Sequence, residues 1–287
     1  MATYVTSDAH GHLRAFSRAL ELAQPGSHDT LYVIGDMIDR GPAPVGVMKL
    51  VHQLPNAHVL LGNHERMMLD ALGSSDFMDT FLWELNGGGM TSKGLDQLPR
   101  EEFVDLIEWV KGFPLYDIVT VDDLRPSAPA GAKRTYVLVH AGIDALALRG
   151  YLATAGISGE DGYADVPEEL LRDAMDEQDP EQLVWIREDF WGVPTGLVGA
   201  DGGGPIIIAG HTPSILLGNY GTLLSGTGAD ADGRGLMVEV GCTADTGGVA
   251  DRIDIDCSAA AGHPQGRVGV MRLEDRRIWY ADIDEGE

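Results

Sequence analysis

The chain has 287 residues, enough to bury a large core in one domain or two small ones. At 44% hydrophobic and 23% charged it reads as an ordinary folded chain, without an apolar run of about 18 residues that could span a membrane and without a basic-then-apolar leader. Acidic residues outnumber basic ones by 45 to 20, and the net charge of −25 repels polyanions and argues against non-specific nucleic-acid binding.

Residues 3–7 form a short β-prone run. Leu13, Phe16, Leu20 and Ala23 then recur at helical spacing, and Pro25-Gly26-Ser27 ends that helix. Leu31-Tyr32-Val33-Ile34 reads as a strand that stops at Gly35-Asp36. Residues 45–53 read as a second helix, and His58-Val59-Leu60-Leu61 as a third strand that stops at Gly62-Asn63. This β-α-β-α-β order predicts parallel strands in an α/β fold, with functional groups on the loops after the strands' carboxyl ends. Residues 66–118 read as mostly helical, broken at Asn86-Gly87-Gly88-Gly89, and are expected to form a cap-like insertion within a single domain spanning 1–287. Residues 125–134 predict a loop, and 135–139 a buried strand ending at His140. Residues 165–191 predict helix, with Asp165 and Asp179 as N-caps. Pro205-Ile206-Ile207-Ile208 predicts a strand ending at Gly210-His211. The last seventy residues predict three or four short strands, with a hairpin over 273–278.

Five strands thus end in a turn that carries a metal-type ligand. The turns are Asp8-Ala9-His10-Gly11, Gly35-Asp36-Met37-Ile38-Asp39-Arg40-Gly41, Gly62-Asn63-His64-Glu65, His140-Ala141-Gly142 and Gly210-His211-Thr212. An Asp or Asn after a single strand is ordinarily a turn residue, and a lone His is ordinarily structural. Five in series place Asp, His and Asn side chains around one rim of the sheet. Oxygen and nitrogen donors without thiolate suit Mn, Fe or Zn better than Ca or Mg. Six ligand residues exceed what one catalytic ion with an open position needs, and they suit two ions sharing a carboxylate.

With these motifs the sequence resembles the phosphoprotein phosphatase family of calcineurin-like metallophosphoesterases, in particular its bacterial serine/threonine phosphatases. The resemblance implies a mixed central β-sandwich flanked by helices, with the metals on strand-end loops. It implies that Asp8 and His10 hold the first metal, that Asp36 bridges both, and that Asn63, His140 and His211 complete the second. His64 is implied as the general acid, oriented by Asp39, and Arg40 as the phosphate grip. Trp185-Ile186-Arg187-Glu188 looks like the family's bacterial second-arginine motif, so Arg187 is the candidate for it. Ser7 and Ala9 depart from the usual first motif, where glycine and a larger apolar residue stand, and Ala141 departs from the HGG pattern.

The leading expectation is a cytoplasmic, manganese-dependent phosphomonoesterase that hydrolyses phosphoserine or phosphothreonine by attack of a metal-activated hydroxide. Its partner is a phosphorylated protein or a small phosphate ester, with no nucleic acid and no membrane. The alternative is hydrolysis of a phosphoanhydride, as in the related dinucleoside-tetraphosphate hydrolases. A third reading is a non-catalytic module that binds a phosphorylated partner, and the presence of His64, Asp39 and Arg40 weighs against it. Cys242 and Cys257 lack CxxC spacing and fit reduced thiols. Asp256 is expected to be structural, and the stretches 199–204, 218–235 and 243–251 to shape the substrate cleft.

Overall fold

Side-chain alternation along the strands sorts the buried residues into separate cores. In β5 (Lys133–Val139), Tyr136 and Leu138 point one way and Val137 and Val139 the other, and β6 (Ile206–Ala209) divides Ile206 and Ile208 from Ile207 and Ala209 in the same manner. Tyr136, Leu138, Ile206 and Ile208 meet Val5, Tyr32, Ile34 and Leu60 of a second sheet in a central core. The result is the expected β-sandwich. This computed structural model describes residues 1–157, 159, 163–221 and 224–287.

The first sheet contains β1 (Thr3–Thr6), β2 (Thr30–Val33), β3 (Ala57–Val59), β9 (Arg267–Arg272) and β10 (Arg277–Asp282), in the order β10-β9-β1-β2-β3. The second adds β4 (Tyr116–Asp122), β7 (Val238–Val240) and β8 (Arg252–Asp254) to β5 and β6, in the order β4-β5-β6-β8-β7. β1, β2 and β3 are parallel, as are β5, β6 and β8, while the remaining pairings are antiparallel. Both sheets are therefore mixed. The expected hairpin joins β9 to β10, with Arg272 opposite Arg277.

Helices cover both outer faces. α1 (Leu13–Ala23), α2 (Pro44–His52), α3 (Asn63–Gly73) and α6 (Arg100–Lys111) bury Phe16, Met48, Met68 and Leu106 against Tyr4, Leu31 and Val33. Two shorter helices, α4 (Phe77–Leu85) and α5 (Gly89–Leu95), lie between α3 and α6 in the chain. On the other face α7 (Ala145–Thr154), α8 (Glu168–Asp176), α9 (Pro180–Trp185) and α10 (Glu188–Trp191) bury Leu148, Leu171, Leu183 and Phe190 against Val137 and Ile207.

Three expectations need correction. Helix stops at Lys111, and the end of the 66–118 stretch is β4, whose Ile118-Val119-Thr120-Val121 run favours a pleated surface. The 165–191 stretch is three short helices. Asp179 caps α9 by accepting from the Glu181 amide at 2.9 Å. Asp165 caps nothing, because α8 begins after Pro167, which occupies the N-cap position.

Candidate active site

β1 hands the chain to Asp8, β2 to Asp36, β3 to Asn63, β5 to His140 and β6 to His211, all at carboxyl ends of parallel strands. The backbone there is bent hard. Among the described residues nine non-glycine positions have positive φ, and six of them are Asp8, His10, Asp36, Asp39, Arg40 and His211. Each such residue costs on the order of 1–3 kcal/mol and persists where the surroundings over-determine it, typically at functional sites. Gly35 (φ +92°) has no alternative: an added Cβ would lie 2.6 Å from both Gly62 Cα and His140 Nδ1.

All six expected ligands converge, each at most 4% exposed. Asp36 stands between two donor sets. Its Oδ2 lies 3.7 Å from His10 Nε2, which is 3.8 Å from Asp8 Oδ1. Its Oδ1 lies 3.4 Å from His140 Nε2. Asn63 Oδ1 sits 2.9 Å from His140 Nε2 and 2.8 Å from His211 Nδ1. Backbone carbonyls fix the orientation of two of the rings. His10 Nδ1 donates to the Ile38 carbonyl at 3.0 Å, and His140 Nδ1 to the Ile34 carbonyl at 2.9 Å, so both Nε2 lone pairs face the centre. Two acceptors, His140 Nε2 and Asn63 Oδ1, are thereby held within contact distance. Asp8 Oδ1 and His211 Nε2 are buried without a hydrogen-bond partner among the described residues. Converging lone pairs and orphaned polar atoms are what a bound cation satisfies, so these residues fit a pair of divalent ions.

The electrostatics point the same way. Burial pushes the Asp8 carboxyl up, and burial together with Asp8 and Glu65 pushes Asp36 well up. Burial also holds His10 and His211 well below the usual imidazole range, with His64 adding to the effect on His10 and His140 to that on His211. Neutral imidazoles are the metal-ligating form, and cations would relieve the carboxylates' cost of ionising.

Beside this centre His64 Nδ1 meets Asp39 Oδ2 at 2.6 Å, as expected for an oriented acid. Its Nε2 accepts from Arg40 Nη2 at 3.0 Å, since a guanidinium only donates. His64 is thus neutral here, and its Nε2 is within 3.8 Å of Asp36 Oδ2. His10, Asp36 and His64 also form a three-donor cluster of their own, next to that of Asp36, His140 and His211. Burial lowers the His64 pKa well below its ordinary value, followed by Arg40, His140 and Arg187. Arg187 does not lie within a helix. It precedes α10, is half-buried, and donates from Nη2 to the His211 carbonyl at 3.3 Å.

Several contributors were not singled out by their sequence context. Trp83 Nε1 donates to Asp39 Oδ2 at 3.0 Å, and Thr91 Oγ1 donates to Asp39 Oδ1 at 2.5 Å. Burial nevertheless pushes Asp39 up to about 7, those donors and Arg40 pulling it down. Glu65 belongs to a quoted motif but had no role. Its carboxylate accepts from the amides of Asp36 (2.8 Å), Met37 (2.8 Å) and Gly62 (3.2 Å). Ser7, a departure from the family pattern, donates its hydroxyl to Asp8 Oδ2. Asp256 lies just past β8, buried, with Oδ1 accepting from the Ser258 amide at 2.8 Å; burial and the nearby Asp8 carboxylate push its carboxyl well up.

The glycine-rich stretches divide. Residues 199–204 precede the amino end of β6, residues 243–251 precede that of β8, and Gly247 packs against the Ala200 carbonyl, so the two stretches meet at the strand ends opposite the ligand rim. Within 218–235, Gly228 packs against the Ser214 carbonyl; Thr222 and Leu223 of that stretch lie outside the described residues.

Comparison with known proteins bears on the family and the fold. The sequence profile of the calcineurin-like phosphoesterase family matches residues 1–232. A symmetrical bis(5'-nucleosyl)-tetraphosphatase of Nitrosospira multiformis is 26% identical over 194 residues, 67% of this chain and 58% of that one. Serine/threonine-protein phosphatase 2 of Escherichia coli is 32% identical over 123 residues, 42% of this chain and 54% of that one. The chain spans about half the length of most curated relatives it matches. A solved structure described as a candidate diadenosine tetraphosphatase shares the fold, with a TM-score of 0.52 at 16% identity over 99% of this chain and 94% of that one.

Proposed function

The chain belongs to the calcineurin-like phosphoesterase family, and from that premise we propose that it is a metal-dependent phosphomonoesterase acting on phosphoserine and phosphothreonine. The observation that carries the reading is Asp36, whose two carboxylate oxygens face separate donor sets beside the His64–Asp39 pair. Asp8 and His10 would hold one divalent ion, and Asn63, His140 and His211 a second, with Asp36 shared. When bound, the ions supply Lewis acidity toward water and toward the phosphoryl oxygens. Manganese is our leading choice, with iron and zinc compatible with the same donors.

The chain's own groups do the rest. Arg40 and Arg187 receive the non-bridging oxygens, where a guanidinium fork matches two oxygens at once. As Arg40 turns to the phosphate it leaves His64 Nε2. That nitrogen can then take up a proton from solvent and deliver it to the leaving oxygen, while Asp39 accepts from Nδ1–H and stabilises the transient imidazolium. An open cavity of about 420 Å³ adjoins Arg40, lined by His12, Gly41, Pro42, Met90 and Ala261, and gives room for the remainder of a substrate. We read residues 1–287 as one metallophosphoesterase unit with a cap-like helical insertion that ends at Lys111, before β4. We place it in the cytoplasm, a reading supported by two free thiols. Its partners are then phosphorylated proteins or small phosphate esters; the net charge of −25 weighs against nucleic acid. Among the described residues no helix is long and apolar enough to cross a membrane.

The second reading, phosphoanhydride hydrolysis, is favoured by one observation: a relative matching 67% of this chain is named as a dinucleoside tetraphosphatase. A panel of phosphopeptides against diadenosine tetraphosphate separates the two. Phosphate release from the peptides is expected. Nucleoside diphosphate release with the peptides untouched would overturn the choice.

A further inference from the structure

Arg252 is a fully buried guanidinium far from the expected ligands in sequence. It sits on β8 opposite Ile207 of β6, the strand that leads to His211. Its Nη1 donates to the carbonyls of Phe190 (2.7 Å), Trp191 (3.1 Å) and Val193. Its Nε donates to Asp251 Oδ1 at 2.9 Å. The other Asp251 oxygen accepts from the Thr195 amide at 2.7 Å and hydroxyl at 3.0 Å.

All the carbonyl partners lie in one strap, residues 188–195, and the strap begins directly after Arg187. Its only regular element is α10, a single turn of four residues. A turn that short cannot hold itself, and its last carbonyls have no internal partners. Arg252 Nη1 shares its two hydrogens among the Phe190 and Trp191 carbonyls of the turn and the Val193 carbonyl beyond it, and the charge complements the negative end of the turn. Asp251 compensates the buried charge and anchors the far end of the strap. At the near end Trp191 Nε1 donates to Thr212 Oγ1 at 3.1 Å, beside His211. Among the described residues the Arg187 side chain makes one hydrogen bond, to the His211 carbonyl, and its buried Nε has none. Its aim is therefore set by the strap rather than by its own contacts.

We propose that Arg252, braced by Asp251, is a positioning residue for phosphate binding, acting through the strap to aim Arg187. This rests on the reading of Arg187 as a phosphate-binding arginine. The test is a double-mutant cycle on full-length protein with manganese and p-nitrophenyl phosphate, measuring kcat and KM for the parent, Arg252→Lys, Arg187→Ala and the double variant. Lysine keeps the charge and loses the fork. Arg252→Lys is expected to lower kcat/KM about tenfold, mostly through KM, because a misplacement near 1 Å is costly. In the Arg187→Ala background the same change is expected to cost less than about twofold. An equal loss in both backgrounds would reduce Arg252 to a general structural role and overturn the proposal. If Arg187→Ala itself leaves kcat/KM unchanged, the reading of Arg187 falls instead. Should Arg252→Lys fail to fold, Thr195→Val removes one Asp251 contact and carries the same cycle. A loss of about two- to threefold that disappears without Arg187 supports the proposal, and one that persists, or no loss at all, overturns it.

Discussion

His64 gives its two ring nitrogens different work. Nδ1 is bound to a carboxylate that is itself held by Trp83 and Thr91, while Nε2 faces Arg40 and the Asp36 carboxylate. The first contact sets ring orientation and the second marks where a proton would leave. In this account His64→Ala lowers turnover of phosphoserine by about 10²–10⁴-fold with metal content retained. Turnover of p-nitrophenyl phosphate falls far less, because its leaving phenolate is stable without a proton. Equal losses on both substrates would remove the proton-delivery role. The residues of this pair were legible because Asp39 and His64 stand in short motifs. Their supports were not. Trp83 and Thr91 come from α4 and α5, 44 and 52 residues beyond Asp39, and nothing in a local pattern distinguishes them from core side chains.

At the scale of elements, the site is an assembly of strand ends stitched together by side-chain-to-backbone bonds. The strands and helices of the first sixty residues could be read from periodicity alone, since each is short, apolar and closed by a glycine or proline turn. One later helix start is misjudged where proline resets the chain: Asp165 is expected as an N-cap, but α8 begins after Pro167, whereas Asp179 does cap α9. Glu65 shows what pattern reading misses even inside a motif. It lies in the first turn of α3 and ties that turn to the loop after β2 through three amide donors. Removing its carboxylate strands three buried donors, at about 1–3 kcal/mol each before any hydration. Glu65→Ala is expected to lower the melting temperature of the metal-free protein by at least about 5 °C. An unchanged melting curve would mean that the Asp36 loop holds its shape without Glu65.

For the whole molecule, two mixed sheets meet so that five parallel-strand carboxyl ends share one rim, and the fold concentrates buried acid there. Asp8, Asp36, Asp39 and Glu65 all have carboxyls pushed up by burial, in a chain that already carries a net charge of −25. Such a centre is costly unless cations neutralise it. The proposed count of two ions rests on Asp36, which among the described residues is common to the His10–Asp36–His64 and Asp36–His140–His211 clusters. Elemental analysis of manganese-reconstituted protein, parent beside Asp36→Asn, measures this directly. Two equivalents per chain are expected in the parent, and at most one in the variant, with phosphatase activity lost. Two full equivalents retained by Asp36→Asn would contradict the shared-carboxylate, two-metal account.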